Sequence, residues 1–317
     1  MASRRMNILS IDGGGIRGII PATFLTQLED PPKWDLIAGT STGGIIALGL
    51  AAGIKPDVLK RLYLNEGHKV FKRSFWRSSI GRFGIAGAIY DNKHLHKILT
   101  DLFGDMKMSE LKTKVCIPAY NTGSRSLVLF NKGYTDNTSK YVANTPDKRN
   151  LVLFSQNFSD VSVVDVAMAT SAAPTFFEPW EIDGEEYIDG GVSANNPSLV
   201  SLAYAISHCM HKDGNNINML SLGTGESAKP IRSLGWGKAG WAPKIAGVLM
   251  DGAADATAYV AYQSCDELYR YNRMQIRLDE KNASPDMDDA SEDNRLALYN
   301  CGNALANLYS DICKDWE

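Results

Sequence analysis

Cysteine is scarce in this chain, and what there is lies scattered. Cys116, Cys209, Cys265, Cys301 and Cys313 form no C-x-x-C pair and no cluster with histidine, which excludes a disulfide scaffold and a zinc site of the usual spacing. An odd set of isolated thiols fits a reducing, cytoplasmic setting. Long apolar runs are missing too. None approaches the roughly 18 residues of a membrane-spanning helix, and the apolar string after the basic start MASRR is cut at Asp12, too soon for a signal peptide. Neither sign of charge dominates: 33 basic residues against 36 acidic ones give a net charge of −3, which argues against a nucleic-acid polymer as partner. Histidine is rare as well. His68, His94, His96, His208 and His211 are the full set, so none follows position 211, and all sit in polar-flanked, helical-looking stretches.

What is present is ordinary globular material: 317 residues, 44% hydrophobic and 22% charged, with 28 glycines and 12 prolines. A chain of this size buries roughly three quarters of its unfolded surface and needs no metal or disulfide to fold. Its length would allow two domains at about 150 residues each. A single domain over 1–317 is expected, with a core of about 6–225 and a C-terminal elaboration of about 226–317.

The recurring pattern is a short apolar strand, a glycine-rich turn and an amphipathic run, which predicts an α/β fold with a mostly parallel central sheet and helices on both faces. MNILSI (6–11) is a buried strand stopped by Asp12-Gly13-Gly14-Gly15, with a helix from about Gly18 to Glu29. WDLIAG (34–39) repeats the scheme, followed by an apolar helix and a second helix from Pro56 to about Phe71. Residues 114–133 alternate like a hairpin, where Pro118 suggests an edge or a bulge. A buried helix is expected over 160–173, a hairpin turning at Asp183-Gly184, and a helix from Asn196-Pro197 to about His211. Strands follow at 217–223 and 273–278, then a solvated acidic loop over 279–293 and a closing helix from Leu296 to Ile312.

Two motifs compete. Gly13, Gly15 and Gly18 spell G-x-G-x-x-G between a strand and a helix, which by itself suggests a nucleotide-binding module. That fold needs an acid at the end of the second strand, whereas here Asp35 stands at its start. The second strand ends instead in Gly39-Thr40-Ser41-Thr42-Gly43, a G-x-S-x-G at a strand-to-helix turn, which would expose the Ser41 hydroxyl as a nucleophile. If the two strands are adjacent and parallel, the amides of Gly14 and Gly15 face the same crevice and could hold an oxyanion. A serine needs a base, and the histidines are badly placed for it. Asp189, in Asp189-Gly190-Gly191 after the strand EEYI, is either a turn aspartate or that base.

Together, D-G-G-G-I-R-G (12–18), G-T-S-T-G-G (39–44) and D-G-G (189–191) resemble the patatin-like phospholipases, as do Ser171-Ala172-Ala173-Pro174 and Asn195-Asn196-Pro197. The likeness covers about residues 6–225. It implies a three-layer α/β/α fold and a Ser–Asp dyad acyl hydrolase acting on glycerophospholipids. Ser41 would be the nucleophile, Asp189 the general base, and Gly13, Gly14 and Gly15 the oxyanion hole. Arg17 would steady that loop or meet the lipid phosphate. Neither a metal nor a cofactor is implied. The resemblance also raises regulation, because bacterial relatives include membrane-degrading antiviral effectors switched on by a cyclic dinucleotide.

Transient, peripheral contact with a phospholipid membrane is the partner this implies, with a homodimer as a further expectation. Lys69 to Arg82 carries five basic and no acidic residues around Phe71, Phe75 and Trp76, a composition suited to an anionic interface or to a helix end packed on the core. Residues 227–250, acid-free with Trp236 and Trp241, suggest an apolar flap.

Overall fold

A period of two, hidden inside apolar strings, builds the sheet. In β1 (Met6–Ile11), Met6 and Ile8 face one side while Leu9 and Ile11 face the other; in β2 (Leu36–Gly39), Leu36 and Ala38 join the first set and Ile37 the second. β3 (Lys114–Asn121) and β7 (Ile217–Leu222) divide in the same way. Strands that bury both faces read as continuous hydrophobic runs and need helices on each side. The computed structural model describes residues 5–28, 32–72, 87–132, 158–207, 216–231, 233–235, 237, 241, 244–265, 269–279 and 281–310. Ten residues of the basic segment (73–82) and Trp236 of the expected flap lie outside the described residues, as do His208 and His211.

β1, β2, β3, β7 and β9 (Tyr269–Met274) run parallel, while β4 (Ser126–Asn131), β5 (Trp180–Ile182) and β6 (Glu185–Asp189) are antiparallel additions. The strand order is β5-β6-β3-β2-β1-β7-β9, with β4 on β3; a separate pair joins β8 (Glu226–Ser227) to β10 (Arg277–Leu278). One face carries α1 (Ile19–Leu25), α2 (Thr42–Ala52), α3 (Pro56–Val70), α4 (Asn92–Phe103) and α5 (Val163–Ser171). Between α5 and the other face's helices the chain makes the short α6 (Gly191–Ala194). The opposite face carries α7 (Ser198–Ser207) and α8 (Ile245–Gln263), and α9 (Glu292–Leu308) returns to the first. The fold is a three-layer α/β/α sandwich, as the alternation predicts.

Several boundaries move for local reasons. The first helix opens as a 3₁₀ turn over Gly15–Gly18 and continues as α1 only to Leu25. The closing helix starts at Glu292 because Ser291 caps it, its hydroxyl accepting from the Asn294 N–H. The strand expected over 273–278 begins earlier, at Tyr269, and breaks after Met274, where the Gln275 carboxamide accepts the N–H of Gly225. The acidic segment over 279–293 is more than a solvated loop: Ala283 is buried, the Met287 carbonyl accepts from Ile16 N–H, and Asp288 accepts from the Tyr90 hydroxyl. Phe71 packs edge-on against Tyr90, so this ring of the basic segment belongs to the core. The expected flap ends in the first turns of α8, which lies against α6 and α7.

One detail of the sheet positions the site. Along one edge β3 pairs with β4 from Cys116 to Asn121; along the other it pairs first with β2, through Cys116, and then with β6, from Ala119. β2 runs parallel to β3 and β6 antiparallel, so their carboxyl ends approach head to head in the gap between. Pro118 sits at that gap. It has no N–H to leave unpaired, and its carbonyl accepts the Thr170 hydroxyl. Gly39 ends one strand and Asp189 the other, so Ser41 and Asp189 converge from opposite directions.

Candidate active site

Ser41 occupies the turn from β2 into α2 with φ 54° and ψ −122°, a left-handed backbone that costs a non-glycine residue of order 1–3 kcal/mol. The surroundings impose it. A Cβ on Gly43 would strike the Ile11 carbonyl, so α2 starts directly against β1, while Thr40 ties the turn to the Ala194 carbonyl at 2.6 Å. The Ser41 N–H donates to Thr170 Oγ1 at 3.0 Å, which fixes the backbone of the turn.

Asp189 is 1% exposed. Its Oδ1 accepts the Gly191 N–H at 2.6 Å, whereas Oδ2 is buried with no completed hydrogen bond among the described residues. Burial pushes the carboxyl up to about pKa 6, against the downward pull of the nearby Ser41 hydroxyl and the Gly191 N–H. A buried oxygen facing a serine, with a pKa near neutrality, can accept a proton. Among the described residues the histidines His68, His94 and His96 lie on α3 and α4, and His96 stacks on Trp180.

The glycine loop after β1 is held from every side. The Gly13 N–H donates to the Asn195 carbonyl at 3.0 Å and its own carbonyl accepts from Thr224 Oγ1 at 2.7 Å. This bears on the expectation for Gly13: its amide is already occupied by the Asn195 carbonyl. Gly15 has φ +58°, and a Cβ there would strike the Met287 carbonyl. The same segment bears on the nucleotide-binding alternative built on Gly13, Gly15 and Gly18. The Ile16 N–H at the helix start, a donor such a module would turn toward phosphate, donates to the Met287 carbonyl, and Gly18 packs against Thr42 and Tyr63.

Arg17 is buried, its Nε donating to Gly14 O at 3.3 Å and its Nη1 to Gly225 O at 3.1 Å. Burial lowers its pKa, opposed by Asp251, Asp12 and Asp286. Of the two roles raised for it, these contacts are those of a loop brace. A second brace escaped the sequence reading altogether. Arg273 of β9 grips Asp12 through two bonds, Nη1 to Oδ1 at 2.8 Å and Nη2 to Oδ2 at 2.5 Å, and also donates to Ser221 Oγ. Burial raises the Asp12 pKa while Arg273 opposes it; the guanidinium, despite its own burial, ends above its ordinary value because of Asp12. Removing one member of a buried pair strands the other. Arg273→Met is therefore expected to cost about 3–5 kcal/mol in urea unfolding, with much of the loss recovered when Asp12→Asn is added.

Among the described residues no group of three or more His, Cys, Asp or Glu side chains is placed to hold a metal ion, and no helix is long and apolar enough to cross a membrane.

A serine on a strained strand-to-helix turn, a buried carboxyl beside it and a fixed glycine loop in a three-layer α/β/α fold are parts that a hydrolase site can be built from. The patatin-like phospholipase family model matches residues 9–201. "Patatin-like protein 2" of Arabidopsis thaliana is 32% identical over 284 residues, covering 74% of this chain and 65% of its own length. A "cGAMP-activated phospholipase" of Pseudomonas aeruginosa (strain BWHPSA011 / Pa011) is 30% identical over 292 residues, covering 88% of this chain and 79% of its own. "Patatin-T5" of Solanum tuberosum is 27% identical over 363 residues, covering 98% and 85%. The chain thus belongs to the patatin-like phospholipases, a family of lipid acyl hydrolases. It spans less than two thirds of the length of the Arabidopsis relative and 55% of the rice relatives of the same name.

Proposed function

We propose that the chain is a serine acyl hydrolase that cleaves acyl esters of glycerophospholipids. The observation that carries this reading is the meeting of Ser41, on its strained turn, with the buried carboxyl of Asp189, whose pKa the Ser41 hydroxyl pulls down against the rise that burial imposes. Asp189 takes the Ser41 proton as the hydroxyl oxygen attacks the acyl carbon. The N–H groups of Gly14 and Gly15 stabilise the tetrahedral oxyanion. The proton passes from Asp189 to the leaving alkoxide, and lysophospholipid departs. Water, deprotonated by Asp189, then splits the acyl-enzyme into fatty acid and free Ser41. We read the chain as one catalytic unit, since β9 of the C-terminal part supplies the Arg273 brace of the glycine loop.

The substrate lies in a membrane, so peripheral and transient association with lipid is part of the reading. Activation by a cyclic dinucleotide is its finer form, supported by the name of the Pseudomonas aeruginosa relative, and a membrane-degrading antiviral role within the cytoplasm extends it by family resemblance alone. The test is purified protein on phosphatidylcholine and phosphatidylglycerol vesicles, with fatty acid and lysolipid read by mass spectrometry, with and without cyclic GMP-AMP. Release of both products in equal amounts is expected. Absence of fatty acid under both conditions overturns the hydrolase reading, and release that cyclic GMP-AMP leaves unchanged overturns the activation alone.

A further inference from the structure

The turn that follows Asp189 delivers a side chain to which the dyad mechanism gives no part. Asn195, just beyond α6, is 6% exposed, and its Oδ1 is buried with no hydrogen-bond partner among the described residues. Buried carboxamide atoms are nearly always paired, and an exception calls for an explanation, a catalytic role among them.

Its position is defined by two glycines. The point a Cβ of Gly13 would occupy is in hard contact with Asn195 Oδ1 and 3.4 Å from Ser41 Cβ. The point a Cβ of Gly191 would occupy is 3.2 Å from Asn195 Oδ1 and 3.0 Å from Asp189 Oδ1. The end of the carboxamide therefore lies between the glycine loop and the dyad, one missing side chain away from each. A Cβ at 13 would push it out, whereas one at 191 would strike Met250 first and only crowd it. The oxygen and nitrogen of a carboxamide exchange places by a half-turn about Cβ–Cγ, so the same point can present an N–H donor.

The backbone of the same residue supplies a reason for such a donor. Asn195 O takes the Gly13 N–H, removing from the crevice one of the three amides the loop could have offered. We propose that the Asn195 carboxamide replaces it, donating Nδ2–H to the oxyanion that forms when Ser41 attacks. Asn195 is then a catalytic residue in the strict sense, because it touches the reacting oxygen, and its interaction strengthens as negative charge develops there. The two roles separate by atom: the main-chain carbonyl fixes the loop whatever the side chain, and the carboxamide acts on the substrate.

This inference rests on the hydrolase reading, and its test keeps the two apart. An alkyl fluorophosphonate labels an active serine: the Ser41 oxygen bonds to phosphorus, fluoride leaves, the proton goes to Asp189, and the phosphoryl oxygen takes the oxyanion's place. Wild-type protein, Asn195→Ala and Asn195→Asp are compared for labelling rate, and for kcat and KM on vesicles, with thermal unfolding as the check on folding. Loss of one oxyanion donor costs on the order of 10²-fold in kcat. Asn195→Ala is expected to lower kcat and the labelling rate together by about that factor, with KM within threefold of wild type. Asn195→Asp keeps the shape but offers an acceptor, and should lower kcat at least as far while moving the midpoint of the kcat/KM profile to higher pH, because a second carboxylate beside Asp189 disfavours its ionisation. A wild type that fails to label at Ser41 defeats the hydrolase reading itself. A wild type that labels, beside a folded Asn195→Ala that labels and turns over within threefold of it, overturns the role of Asn195 and leaves the dyad standing. A loss confined to KM overturns it equally, since a donor used only in the transition state leaves ground-state binding alone.

Discussion

Ser41→Ala is expected to abolish fatty-acid release from phospholipid vesicles, by at least about 10³-fold, while leaving the protein folded. The substitution removes one oxygen. The Ser41 N–H keeps its bond to Thr170, Thr40 keeps its bond to Ala194, and alanine tolerates the left-handed backbone about as poorly as serine does, so the cost is that of the lost hydroxyl beside Asp189, about 1 kcal/mol. Ser41→Gly sharpens the test. Glycine adopts φ 54° without the penalty a Cβ imposes, so this variant should be as inactive as Ser41→Ala and more stable by roughly 1 kcal/mol. A dead but stabilised enzyme is the mark of a residue whose conformation is held for chemistry rather than for folding. Activity near wild type in either variant would remove the nucleophile from the mechanism. Equal melting temperatures for the two variants would show instead that the turn stores no strain.

How far this site can be read from a single chain follows from which contacts are local. The G-x-S-x-G turn is local: two glycines, a serine and an apolar helix lie within one strand-to-helix unit, and their spacing alone places Ser41. Asp189 is half-legible. Its Asp-Gly-Gly string also describes a common turn, and what distinguishes it is that β6 meets β2 end to end along β3, a register fixed by Ala119 and Asp189 across the sheet. No local pattern records such a meeting. The same limit hid the state of Gly13, whose amide looks free in sequence and is occupied by a carbonyl from Asn195. Arg273 was least legible of all. It sits in a strand of mixed character far from any motif, and only the placement of β9 beside β7 brings its guanidinium to Asp12. The fold class, by contrast, rests on alternation repeated in β1, β2, β3 and β7, and redundancy of that kind survives errors at any single boundary.

Asp189→Asn is expected to move activity and stability in opposite directions. Asparagine keeps the shape, and its Oδ1 can go on accepting the Gly191 N–H, but it cannot take the Ser41 proton, so kcat/KM should fall at least about 10³-fold. In the wild type the base must be ionised, and burial sets its pKa at about 6, so kcat/KM should rise with pH and level off above about pH 7. The same shift acts on folding with the opposite sign. The ordinary value is 3.8, so between about pH 4 and pH 6 the native state binds more protons than the unfolded one, and stability falls as pH rises through that window. Above pH 7 the deficit is complete, at roughly 3 kcal/mol for a shift of about two units. Asparagine carries no charge to desolvate, so the variant should unfold at higher urea than wild type at pH 7.5, and the gap should narrow by pH 5. A gap that is absent, or independent of pH, would show that the Asp189 carboxylate is not held against its own solvation. With that would go the reason it is basic enough to activate Ser41.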